Sequence, residues 1–275
     1  MKEGRFFWGT LALMLSLSAM FASLLYRANP SSLWIFAFML LSSMIWYVID
    51  ATRQYRGFIK TTTPRYIDRG RHEGLSELYD VFARAVRRAD LKKMPRLCVV
   101  SMHGFDAFMF KPPFGSISSI GISTDMLMKL NLVDIEAIFG HEIAHLRMER
   151  NIFARCALYV LSSAFFWFGA VWALMISAEP SLVDSVIGLS ALLLAFFGYM
   201  LDIAASRRLE LACDAYSDWL TRSDLMGVTL EKISPKDGKR TGLAGLLTTV
   251  SCEVFKMRSH PTLEERKAFL KELGA

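Results

Sequence analysis

The sequence predicts a mainly α-helical membrane protein, in which four transmembrane helices accompany a cytoplasmic α+β domain with a small β-sheet. Hydrophobic residues make up 53% of the 275 residues, and the mean hydropathy of +0.32 is high for a soluble protein. These residues are concentrated in four apolar blocks, whereas the remaining chain is polar and rich in Arg and Lys. A helix needs roughly 20 apolar residues to cross the hydrocarbon core, which predicts one span for each block.

The predicted spans are Phe6–Tyr26, Leu33–Ile49, Cys156–Ala178 and Val186–Leu201. The alternative for the first stretch is a cleaved signal peptide, because Lys2 and Arg5 precede it. Its apolar run exceeds the roughly 7–15 residues of a signal peptide and lacks a clear small-residue cleavage site. A retained first span is therefore expected.

The basic residues predict the orientation of the chain. They crowd the segment after the second span and follow the fourth span as Arg207 and Arg208, whereas the two short hairpin loops carry only Arg27 between them. Basic loops remain on the cytoplasmic side, so both termini and both polar segments are expected there. The net charge of +6 is interpreted as this orientation signal, with affinity for the anionic headgroups of the bilayer. It does not indicate nucleic-acid binding.

These features divide the chain into four segments. Residues 6–50 are the first transmembrane hairpin, 51–155 the first part of the cytoplasmic domain, 156–204 the second hairpin, and 205–275 the second part of the domain. The last segment is too short to bury a good core alone, so the two polar parts are expected to meet in one domain. The four cysteines form no CxxC pair, and reduced thiols are expected at the cytoplasmic face.

Periodicity predicts the elements of the first polar part. Apolar residues at helical spacing predict a helix from Leu75 to Ala89, and Leu97–Val100 is a β-branched run typical of a strand. Two more strands, at 105–110 and 117–122, flank a Pro- and Gly-containing turn. Ser123 begins a short helix, and a longer helix starts near Asp134.

The second polar part is predicted to be helical at both ends. A helix carries Leu209 to Trp219, and a polar stretch from Gly227 to Gly238 is expected to be a flexible loop. Two further helices are predicted around 243–255 and 263–273.

An HExxH sequence at His141–His145 is the strongest chemical signal. Residues four apart share one face of a helix, so both imidazoles can bind the same metal ion. Glu142 lies one position round the helix, where its carboxylate can activate a water molecule. The alternative is an ordinary helix with two histidines, which is weakened because the chain has only five histidines.

Zinc requires a third protein ligand, and Glu210 is the best candidate. Asp214 lies on the same helix face and can accept a hydrogen bond from the far ring nitrogen of a ligating histidine. From the residues alone, Glu210 is equally a surface acid paired with Arg207 or Arg208. Cys213 points about 100° away from Glu210 on the helix and is not counted as a ligand. His72 and His103 are interpreted as structural or exposed.

These motifs resemble the HtpX-type membrane metalloproteases, which are relatives of the CAAX prenyl endopeptidases. The resemblance rests on HEIAH at 141–145, on the Arg-x-x-Glu-x-x-x-Asp helix at 207–214, and on Ser259-His260-Pro261 followed by Leu263-Glu-Glu-Arg. It also covers the layout, with two spans before HExxH and two between HExxH and the third ligand.

The resemblance implies a zincin-like protease domain and one Zn²⁺ ion per chain, held by His141, His145 and Glu210. It implies Glu142 as the general base, Asp214 as a supporting acid, and His260 near the site, where it stabilises the oxyanion or positions the substrate. From chemistry alone, His260 equally caps a helix before Pro261. The implied function is quality control and stress response in a bacterial inner membrane, with polypeptide substrates.

Asp106-Ala107-Phe108 stands where the family usually has Asn-Ala-Phe on a strand beside the cleft. The backbone of such an edge strand can pair with an extended substrate, whereas the polar contact made at position 106 is altered.

Three other functions compete with a broad membrane endopeptidase. A zinc-binding sensor or scaffold without turnover is disfavoured by the intact Glu142. A transporter or channel subunit requires charges inside the spans, and the four stretches have none in their interiors. A prenyl-peptide processing enzyme is the narrower alternative, for which four spans are few.

Overall fold

The computed structural model describes residues 2–68, 73–101, 107–110, 117–175, 181–222, 224–233 and 261–274, without the side chains of 2–7, 73, 149–153 and 274. The helices are α1 (Lys2–Ala28), α2 (Ser31–Thr62), α3 (Ser76–Arg88), α4 (Thr124–Lys129), α5 (Leu132–Arg147), α6 (Glu149–Met175), α7 (Leu182–Thr221), α8 (Leu225–Ile233) and α9 (Leu263–Gly274). The strands are β1 (Arg65–Ile67), β2 (Arg96–Val100), β3 (Ala107–Phe110) and β4 (Ser119–Ser123). The predicted fold class, helical with four apolar helices and one small sheet, is confirmed.

Four helices are long and apolar enough to cross a membrane, at Trp8–Ala28, Ser31–Thr62, Ala154–Met175 and Leu182–Thr221. The chain divides into two compact units, one of residues 1–50 with 150–208 and the other of residues 51–149 with 209–275. The helices α2 and α7 therefore contribute residues to both units.

The first unit is held together by aromatic and small residues. Phe21 lies edge-on to Phe36, Phe165 and Phe168, with ring centroids 5.3–5.7 Å apart, which joins α1, α2 and α6. Gly198 on α7 allows the side chains of Ser162 and Met14 to approach its backbone, because any Cβ there would overlap both. The tight packing of small residues is typical of helix contacts in a bilayer.

The second unit contains the sheet, in the strand order β1-β2-β4-β3. β2 and β4 are parallel, whereas β1 and β3 pair antiparallel with their neighbours. β3 and β4 thus form the predicted hairpin. One buried hydrophobic cluster joins the sheet to α3 and α5 through side chains that include Phe82, Ile120, Ile122 and Phe139.

The prediction of a loop from Gly227 to Gly238 is wrong for residues 227–233, which belong to α8. Met226 and Leu230 of α8 are buried against Ala137 of α5. Lys232 and Thr229 both donate hydrogen bonds to Asp134 near the start of α5. Tertiary packing therefore stabilises a helix that contains Gly227 and has little helical signal of its own. The helix predicted at 243–255 lies outside the described residues.

Candidate metal centre

The helix α5 holds both histidines of the HExxH sequence in a buried, well-capped segment. Asn131 and Asp134 form a capping box at the beginning of α5, in which each side chain accepts a hydrogen bond from the backbone N–H of the other residue. His141 and Glu142 are buried, and His145 is partly buried. Because one helical turn separates the histidines, their rings lie on one face, with the two Nε2 atoms 3.2 Å apart.

Glu210 of α7 completes a cluster with these two histidines. One carboxylate oxygen lies 3.5 Å from Nε2 of His141, and the other lies 3.7 Å from Nε2 of His145. Helices α5 and α7 approach closely because Gly140 faces Ser217, whose hydroxyl donates to the carbonyl of Ala137 at 2.5 Å. The glycine before the first histidine therefore brings the two halves of the site together.

The geometry of this cluster fits a small divalent metal ion. One donor atom from each residue can be chosen so that all lie within 4.8 Å of one another. Zinc–ligand bonds of 2.0–2.2 Å in a tetrahedron place donor atoms about 3.3 Å apart, close to the observed separations. Both Nε2 atoms and the Glu210 carboxylate face the same point, which leaves the Nδ1 atoms for other contacts.

Both Nδ1 atoms have hydrogen-bonding neighbours on α7. Nδ1 of His141 lies 2.8 Å from the buried Asp214, and Nδ1 of His145 lies 3.4 Å from Sγ of Cys213. Such contacts fix the tautomer and direction of a ligating ring. Asp214 is in turn paired with the guanidinium of Arg266 on α9.

The charges around His141 favour a cation at this place. Burial lowers the pKa of His141, but hydrogen bonds and charges from Asp214, Glu210 and Glu142 outweigh it and raise that pKa to about 10. The same negative charges that raise the pKa of His141 also favour a bound metal cation.

A cleft opens beside the cluster and is lined by residues of several elements. His141, Glu142, His145, Glu210 and Arg266 form its polar side. Its other side is formed by β3, α4, α5 and α8 through Ala107, Phe108, Met109, Met126, Ile138, Met226, Leu230 and Ile233. β3 is the last strand of the sheet, and Phe108 on it packs edge-on against Phe58, with centroids 4.6 Å apart.

The structure brings most of the predicted site residues to one cleft. His141, Glu142, His145 and Glu210 line it, Asp214 lies behind His141, and Ala107 and Phe108 stand on the strand beside it. Asp106, His260, His72 and His103 lie outside the described residues.

Arg266 and α8 were not predicted from the sequence as parts of the site, and Cys213 was not counted as a ligand. Cys213 lies beside the three-residue cluster, with its sulfur 3.4 Å from Nδ1 of His145. Arg266 is the last residue of the motif at 259–266, which could have marked it as a site residue. No local feature of the sequence indicated Asp214 as its partner.

Comparisons with known proteins agree with this geometry. Peptidase family M48 matches residues 75–274. A protein named "Protease HtpX homolog" from Moorella thermoacetica is 24% identical over 288 residues, which is 96% of this chain and 92% of the relative. The crystal structure of S. mikatae Ste24p aligns with a TM-score of 0.55 and 16% identity, over 93% of this chain and 66% of Ste24p. This last likeness concerns the fold alone, and the chain spans about two thirds of the length of Ste24p.

Proposed function

This chain belongs to peptidase family M48 and is a membrane metallopeptidase, and we propose that it is an endopeptidase holding one zinc ion on His141, His145 and Glu210. The observation that carries this proposal is the convergence of these three donor groups beside a cleft. Two imidazoles and one carboxylate are typical of catalytic zinc sites, which keep a further position open for the reaction. The same donors suit zinc better than magnesium or calcium, which prefer oxygen ligands.

Glu142 is the proposed general base. Its side chain is buried next to His141 and lines the cleft. When bound, zinc supplies Lewis acidity that lowers the pKa of a water molecule and polarises the scissile carbonyl. Glu142 accepts a proton from the attacking water and returns it to the leaving amine. His260 is proposed to stabilise the oxyanion or to position the substrate.

The outer strand β3 is the proposed binding edge for an extended substrate. It pairs with β4 on one side, and no other described strand pairs with its second edge. Ala107 and Phe108 line the cleft, so a peptide added to this edge passes the metal ligands. Asp106, where the resembling family has Asn, is proposed to alter a side-chain contact at the start of this edge.

The apolar wall of the cleft favours the binding of substrates with exposed hydrophobic side chains. Met109, Met126 and Met226 all line it, and the flexible thioether side chain adapts to differently shaped partners. We therefore propose misfolded or damaged membrane proteins as the substrate class, with quality control and stress response as the role.

The active site is proposed to lie at the cytoplasmic face of a bacterial inner membrane. The support is the Arg and Lys excess after the second span and after the fourth. In this proposal, residues 51–155 and 205–275 form the protease domain, and 6–50 and 156–204 form two membrane hairpins. Added protease should digest the C-terminal tail in inside-out vesicles and spare it in right-side-out vesicles; the reverse pattern contradicts this orientation.

The proposed activity is tested with the purified full chain in detergent and unfolded casein as substrate. Wild type should cleave casein, a chelator should stop cleavage, and added zinc should restore it. Glu142→Gln should bind zinc but lose about 10²–10⁴-fold in rate, the usual contribution of a general base. Glu136→Gln is the matched control on the same helix, because Glu136 pairs with Arg84 and Arg88 rather than with the cluster.

The outcomes also separate the competing functions. Normal cleavage by Glu142→Gln contradicts the proposed mechanism. Stoichiometric zinc without turnover favours a sensor or scaffold. Cleavage restricted to a prenylated peptide, with no action on casein or on the unmodified peptide, favours prenyl-peptide processing.

A further inference from the structure

Arg266 on the C-terminal helix α9 pairs with the acid behind the metal cluster. Its Nε donates to one carboxylate oxygen of Asp214 at 2.6 Å, and Nη2 donates to the other. Asp214 is fully buried, and the same oxygen that accepts from Nη2 lies 2.8 Å from Nδ1 of His141. A chain of contacts thus runs from α9 through α7 to a metal ligand on α5.

The burial of Asp214 makes this pairing important. A carboxylate removed from water loses its hydration, and hydrogen bonds and an opposite charge must replace it. The planar guanidinium supplies two parallel N–H donors, which also fix the plane of the carboxylate. Without the guanidinium, the carboxylate of Asp214 would be free to rotate, and rotation would weaken its hydrogen bond with His141.

The position of α9 is itself well defined. Thr262 and Glu265 cap its first turn by exchanging hydrogen bonds between side chain and backbone. Lys267 pairs with Glu231 of α8, and Leu270 packs with the cluster formed by α5 and α8. The backbone that carries Arg266 is therefore anchored by contacts separate from Asp214.

We propose that Arg266 is a positioning residue for the metal centre: it fixes the plane of the Asp214 carboxylate, and Asp214 in turn orients the ring of His141 so that Nε2 faces the metal. This proposal rests on the proposed metal site. It makes the C-terminal helix a functional part of a centre whose ligands all lie on α5 and α7.

The experiment measures the zinc dissociation constant of the full chain in detergent by competition with a chromophoric chelator. Arg266→Ala should weaken zinc binding roughly ten- to hundred-fold, as expected for the loss of a partner behind a ligand. Arg266→Lys should retain part of the affinity, because an ammonium group keeps the charge but not the two-pronged geometry. Lys271→Ala, at an exposed position of α9, is the matched control and should bind zinc as wild type does.

Two further measurements distinguish a positioning role of Arg266 from a general role in folding. Added guanidinium ion should restore affinity to Arg266→Ala but not to Asp214→Ala, which lacks the carboxylate. The double variant should lose no more affinity than Asp214→Ala alone, because Arg266 acts through Asp214.

Wild-type zinc affinity in Arg266→Ala overturns the proposal, as do additive losses in the double variant or the absence of guanidinium rescue. A change confined to KM in the casein assay also overturns it, since Arg266 would then act on the substrate. If wild type itself binds no stoichiometric zinc, the proposed function fails instead.

Discussion

The two histidines of the cluster differ in what lies behind them. Nδ1 of His141 faces the carboxylate of Asp214, whereas Nδ1 of His145 faces the thiol of Cys213. A ring that binds metal through Nε2 has its proton on Nδ1 and donates it to this neighbour. Because a charged oxygen is a stronger acceptor than sulfur, the ring of His141 is the more firmly held of the two imidazoles.

The unequal contacts predict unequal effects of substitution. Cys213→Ala should reduce zinc affinity only a few-fold, and Cys213→Ser should stay close to wild type because its hydroxyl can accept the same proton. Asp214→Ala should lower zinc affinity roughly ten- to hundred-fold. Chelator competition measures all three, and an equal loss in Cys213→Ala and Asp214→Ala contradicts this ranking.

The sequence could predict the residues whose spacing a helix determines. His141 with His145, and Glu210 with Asp214, are each four residues apart, so a helical period alone places each pair on one face. It could not predict that Arg266 reaches Asp214, because 52 positions separate them and only the folded backbone joins them. The contact of Cys213 with His145 could not be predicted either, because it depends on how α7 is rotated against α5.

Among the secondary-structure elements, regular periodicity was sufficient to predict α3, α5, β2 and the β3–β4 hairpin from the sequence. It failed for β1, a strand of only three residues that pairs antiparallel with β2. It failed also for α8, which contacts between elements stabilise: the backbone N–H of Met226 donates to Asp218 of α7, and Lys232 donates to Asp134. Both elements depend on neighbours that no local window contains.

The crossing of α5 and α7 makes a specific prediction about Gly140. A methyl group at this position would lie 2.8 Å from Oγ and 3.1 Å from Cα of Ser217, so the backbone of α7 would have to move. Gly140→Ala should lower the free energy of unfolding by about 1–3 kcal/mol, as overpacking does. It should also lower zinc occupancy, because the shift separates His141 from Glu210.

Gly57→Ala is the control for this substitution. Gly57 lies in α2, where an added Cβ would meet no atom within 4 Å beyond its chain neighbours and the adjacent backbone of the helix. Alanine favours a helix by about 1 kcal/mol over glycine. Thermal unfolding in detergent and metal content should show a loss for Gly140→Ala and no loss for Gly57→Ala. Full zinc occupancy in Gly140→Ala would contradict the role of this crossing.

At the scale of the whole molecule, the site is divided along the chain. His141 and His145 precede the last two apolar helices, and Glu210 lies in the last third of the second of these, α7 (Leu182–Thr221). The four apolar helices and the order of the motifs could be predicted from the sequence because the length of an apolar stretch is a local property. The approach of Glu210 to the histidines was only an expectation until the fold was known.

Whether Glu210 is the third zinc ligand is decided by the metal content of purified wild type and of Glu210→Gln. Gln keeps the size of Glu but removes the charge that a zinc ligand supplies. We expect about one zinc per wild-type chain and a large loss of zinc and of cleavage in Glu210→Gln. Full zinc occupancy together with normal cleavage in Glu210→Gln would contradict the assignment of the third ligand and the divided site.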